Sequence, residues 1–126
     1  MKRRLTIGLL FVLAPLAAQD DSGHRTWHRI WQASVAAVLA GNSADAATSW
    51  GKYETNGALR GSGLAFGGRA LGLKCGITAG LLLPQFVLMR RHPQAVKATA
   101  AINLSAAAVL GLQAAHNTHF AAIQQR

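Results

Sequence analysis

Apolar residues fall in four runs along the chain, separated by polar or glycine-rich stretches. The first, Leu5 to Leu16, follows Lys2-Arg3-Arg4 and leads through Ala17-Ala18 into Gln19-Asp20-Asp21. The second runs from Ile30 to about Ser49 and is rich in alanine; the third, Leu71 to Met89, is 19 residues long; the fourth covers Ala98 to Ala115. A polar lead-in, Gln19 to Arg29, and a glycine-rich connector, Gly51 to Gly68, lie between them, and a polar tail begins at His116. The last three runs predict helices at about 30–50, 69–90 and 97–116, so the expected fold class is all-α.

The first run has a different character. A basic start, a short apolar stretch of 12 residues and small residues before a polar segment form a secretory signal. It falls short of the ~20 residues that span a bilayer, which weakens the competing reading of an uncleaved anchor. The expected organisation is therefore a signal peptide over 1–18 and a single helical domain over 19–126.

Aromatic placement adds a membrane argument for the second run. Trp27 and Trp31 stand at one end, Trp50 and Tyr53 at the other. Trp31 and Trp50 are separated by about 28 Å of helix, close to the ~30 Å hydrocarbon core. Tryptophan and tyrosine favour the two headgroup zones, so the spacing predicts a span, with a helix lying on the membrane as the alternative. In the third run Lys74 can snorkel, Pro84 should kink the helix, and Arg90-Arg91-His92-Pro93 should end it. Helices 2 and 3 are then expected to form a tight hairpin across Arg90–Lys97. Charge does not fix orientation: with three spans after signal removal, that basic loop lies outside, against the positive-inside tendency.

Only 13% of residues are charged, which suits a surface largely turned away from water. The formal charge of +9 falls to +6 without the leading segment (10 Lys and Arg against 4 acids) and points to anionic lipid headgroups. Nucleic acid is not an expected partner, since the charges are scattered singly and an exported chain rarely meets it. Cys75 lies alone in an apolar run and is expected to act as a small buried hydrophobe.

The strongest pattern is a glycine ladder, Gly68, Gly72, Gly76 and Gly80, which puts three G-x-x-x-G steps on one helix face. Small residues also line helix 1 (Ala33, Ala37, Gly41, Asp45, Ser49) and helix 3 (Ala107, Gly111, Ala115). Close packing of the bundle, or a seam between two copies, is the expected use.

Asp45 is the only acid within these runs. An ionisable group at membrane depth is a candidate site, and Asn42, Thr48 and Ser49 on adjacent turns could help it carry a proton or cation. The structural alternative is a carboxylate bonded to Thr48 or Ser49, or paired with Lys74 or Lys52. The segment Asp45, Ser49, Gly51, Glu54, Asn56, Leu59 resembles a motif of small uncharacterised bacterial membrane proteins, which carry Asp, Ser or Thr, Gly and Glu-x-Asn-Pro-Leu at the end of a first helix. Gly57 stands where those proteins have proline. The resemblance implies a helical membrane protein and no activity. Independently of it, Asn56 and Gly57 can make a turn, and Glu54 can cap the connector's free N–H groups.

Other chemistry is weakly represented. The pairs His24/His28 and His116/His119 have spacings that could share a metal, but no cysteine or acid accompanies them. The loop Gly61 to Gly67 has Phe66 where a dinucleotide fingerprint needs glycine, and no strand precedes it. No nucleophile–base set stands out. The expected function is a non-enzymatic packing or partner subunit of a bacterial inner membrane, without cofactor, binding lipid and either a second copy or another membrane protein. An oligomeric ion or proton conductor using Asp45, and a soluble periplasmic helical protein, are the alternatives.

Overall fold

The computed structural model describes residues 21–54, 56–60 and 63–119. The expected signal segment lies outside them. Three helices, α1 (Asp21–Ser49), α2 (Gly68–Arg91) and α3 (Val96–Asn117), make the all-helical architecture that the apolar runs predict.

Side-chain contacts give the directions. Trp31, early in α1, packs with Val96 and Ala100 at the start of α3, and Met89 from the end of α2 joins them. At the other end Asn117 of α3 reaches Asp45 and Ser49 of α1, and Lys74 of α2 reaches the same aspartate. α1 and α3 therefore run parallel, with α2 antiparallel to both.

α1 begins nine residues before the expected start because the supposed lead-in has work to do. Trp27 and Ile30 pack against the Trp31 cluster, which extends the helix through the polar segment. At its other end Gly51 takes φ +72°, a left-handed conformation that closes the helix and turns the chain back. The α2–α3 turn follows the sequence closely. The His92 N–H bonds to the Leu88 carbonyl, Pro93 starts a single 3-10 turn (Pro93–Ala95), and α3 continues from it. Pro84 is exposed inside α2, which nevertheless runs on to Arg91.

The closest helix pair is α1 with α3, not the expected α2–α3 hairpin. The cause is visible at Gly41, where a Cβ would sit 3.1 Å from Leu110 Cβ and 3.3 Å from the Ala107 carbonyl oxygen. Within the chain the expected ladder is unused. A Cβ at Gly68, Gly72, Gly76, Gly80 or Gly111 would meet nothing within 4 Å.

Among its described residues the connector is loop, closed by a single bridge. Tyr53 and Ala65 form an antiparallel bridge, and paired backbone bonds (Gly51 N–H to Phe66 O, Phe66 N–H to Lys52 O) fold it over the bundle end. Phe66 is thereby buried with Ala46 and Ala70, against Leu59.

Among the described residues, α2 and the segment Pro93–Asn117 are long and apolar enough to cross a membrane, and only 17% and 22% of their apolar windows are buried within the chain. Leu73, Ile77, Leu83, Phe86, Val109 and Leu112 all face outward. Trp31 turns inward, 3% exposed in the core, whereas Trp50 and Tyr53 are exposed as expected. Cys75 is likewise exposed on α2, not buried.

Candidate functional site

Asp45 is 1% exposed one turn before the end of α1, and every group around it is fixed by a different element. Lys74, on the second turn of α2, forms an ion pair with its Oδ2. Asn117 Nδ2 at the end of α3 donates to Oδ1 at 2.8 Å and to Ser49 Oγ at 2.6 Å. The Ser49 hydroxyl, one turn on along α1, lies 3.4 Å from Oδ1. Lys52, just past the end of α1, donates to the Asn117 backbone carbonyl. Buried charges persist when paired and hydrogen-bonded, and both carboxylate oxygens here are engaged.

These groups border an open cavity of about 480 Å³, completed by Tyr53, Glu54, Asn56, Leu59, Phe66, Gln113 and His116. The connector supplies much of this wall. Glu54 Oε1 accepts the Asn56 N–H at 2.8 Å, and Asn56 Oδ1 accepts the Ala58 N–H at 3.0 Å, so the turn and cap expected of these residues are both formed. Arg60 crosses behind them, donating to the Glu54 carbonyl and lying over the Tyr53 ring. Asp45, Ser49, Glu54, Asn56 and Leu59, the side chains that carry the resemblance noted in the sequence, thus all line one cavity.

The other candidates divide. Thr48 bonds back to the Ala44 and Asp45 carbonyls of its own helix, and Asn42 is half-buried on α1 outside the cavity lining. His24 and His28 lie at the opposite end of the bundle from His116 and His119. Among the described residues no group of three or more His, Cys, Asp or Glu could hold a metal ion.

A second polar cluster went unseen in the sequence. Gln85 and Asn103 exchange amide bonds, Gln85 Nε2 donating to Asn103 Oδ1 at 2.7 Å and Asn103 Nδ2 to Gln85 Oε1 at 2.9 Å. Trp31 Nε1 donates to the same Gln85 oxygen at 2.8 Å. Asn103 Nδ2 also reaches Ser34 Oγ at 3.1 Å, and Ser34 donates to the Trp31 carbonyl at 2.6 Å. All four residues are buried, one network joins all three helices, and no buried side-chain N or O among the described residues lacks a partner. The available signal was the rule that a buried indole N–H finds an acceptor, together with two amides in otherwise apolar helices.

No protein-family model, curated protein or solved structure matches the chain.

Proposed function

We propose that the chain is a small integral membrane protein, exported through its leading segment, that works without catalysis as a packing subunit associating with a second copy of itself. The carrying observation is the outward face of α2. Gly72, Gly76 and Gly80 are exposed beside Leu73 and Ile77, with nothing of the chain within reach of a Cβ there. In lipid, where apolar contact brings no hydrophobic gain, a groove of glycines is what lets two helices approach closely.

Cys75 lies on the same helix between two ladder glycines and is exposed, so it reports the contact. Mild oxidation of the membrane-embedded protein is expected to give a disulfide-linked dimer. Gly72→Leu/Gly76→Leu should abolish it while leaving helix content unchanged. Equal crosslinking in the variant overturns the seam.

Conduction through Asp45 is the less favoured reading, because Lys74 already neutralises the carboxylate and Ser49 and Asn117 occupy its other oxygen. Asp45→Asn is expected to leave proton flux across vesicles at the background level of wild type.

Export is tested separately. The start of α1 and the α2–α3 turn share one end of the bundle, so Ser22→Cys and Gln94→Cys, in a Cys75→Ser background, should both react with an impermeant thiol reagent outside the cell. Joint labelling only after lysis places that end inside and overturns export. Labelling of the two on opposite sides overturns the three-span arrangement.

A further inference from the structure

The bundle end opposite the cavity gathers Arg25 and Arg29 from α1, Arg90 and Arg91 from the last turn of α2, and Lys97 from the first turn of α3. The four arginines are exposed. Far apart in sequence, these groups meet because the Trp31–Val96–Ala100 cluster, with Met89, ties the three helix ends together. Lys97 lies over the Trp27 ring at 5.4 Å, so a headgroup-seeking aromatic stands at the same level. The described acidic side chains, Asp45 and Glu54, both line the cavity at the other end. The sequence holds two further acids, Asp20 and Asp21, so these five cations outnumber them by three. Directly beneath lie the outward apolar side chains Phe86, Val87 and Leu88.

A cationic rim above an apolar band matches one occupant in charge and shape: the anionic headgroups of one leaflet, with their acyl chains on α2. We propose that this end is a docking surface for anionic phospholipid, held by Arg25, Arg29, Arg90, Arg91 and Lys97. The inference rests on the membrane reading above and adds a lipid preference that reading does not require. Arginine suits the role because its planar fork takes two phosphate oxygens at once.

The test uses the full chain, first asking whether alkaline carbonate leaves it in the membrane. Release overturns the membrane reading itself. The retained protein is then purified in mild detergent, phosphatidylglycerol or phosphatidylcholine is titrated in, and bound lipid is counted by native mass spectrometry. Phosphatidylglycerol should bind in preference. Arg90→Gln/Arg91→Gln should weaken it on the order of 25-fold, at about fivefold per charge. Arg90→Lys/Arg91→Lys should keep most of the binding, and Arg60→Gln/Arg69→Gln at the other end should change little. Equal retention of both lipids, or equal loss in the control, overturns the proposal while leaving membrane insertion intact. Displacement by millimolar inorganic phosphate overturns it also, since the surface would then be a site for a soluble anion.

Discussion

Two polar clusters cross the same bundle and solve the same difficulty differently. The Trp31–Ser34–Gln85–Asn103 network is neutral and sealed, each buried donor turned to an acceptor within the set. The Asp45–Lys74–Ser49–Asn117 cluster carries charge and borders a cavity, with the Lys74 side chain 16% exposed. Neutral amides can be closed off completely because they repay one another's desolvation. An ion pair is cheaper where water or headgroups reach one partner, and the folded connector creates that setting without leaving Asp45 itself open.

The largest expected effect tests whether charge distinguishes the second cluster. Asp45→Leu leaves Lys74 unpaired, and Lys74→Met leaves a buried carboxylate; each should lose roughly 3–5 kcal/mol. Asp45→Leu/Lys74→Met should lose far less than the sum, because no uncompensated charge remains. The measurement is unfolding in mixed micelles followed by far-UV circular dichroism. Additive losses would show that the pair is not coupled.

The sealed network should respond more mildly. Asn103→Leu strips the Gln85 amide and Ser34 of a partner, and should cost about 1–3 kcal/mol in the same assay. A cost as large as that of Asp45→Leu would erase the distinction between neutral and charged clusters.

How much of this was legible follows from range along the chain. Asp45 stood out as the one acid in an apolar run, Ser49 lies one helical turn away, and Lys74 is the one cation within the Leu71–Met89 run. Those three could be named, as could the Asn56 turn and its Glu54 cap, which are local. Asn117 could not, because it is 72 residues from Asp45 and reaches it only if α1 and α3 run parallel at close range. Trp31 misled for a related reason: spacing along one helix says where a ring stands in height, not which way it faces. The outward turn of the ladder was hidden likewise, since four-residue spacing defines a face without saying what meets it.

Gly41 lies between the two clusters on α1 and sets how near α3 can come. Gly41→Ala gains about 1 kcal/mol of helix propensity but forces its Cβ against Leu110 and the Ala107 carbonyl, for a net loss of about 1 kcal/mol. Gly76→Ala, with nothing nearby, should keep the propensity gain and make the monomer slightly more resistant to unfolding. Opposite signs at the two glycines would confirm that close approach belongs to α1–α3. Equal signs would remove that reading.

The last change probes the edge of the sealed network. Trp31→Phe keeps an aromatic ring between Val96, Ala100 and Phe86 and deletes the indole N–H. The Gln85 oxygen it served still accepts from Asn103, so no buried acceptor is stranded, and the direct loss is one neutral bond of about 0.5–1.5 kcal/mol. The smaller ring also removes contact area, which separates the variant from Asn103→Leu. Trp31→Phe and Asn103→Leu together should therefore cost less than their sum, since removing the asparagine already disrupts the acceptor that Trp31 uses. Strict additivity would mean that the indole holds the core by packing alone and that the network ends at Gln85.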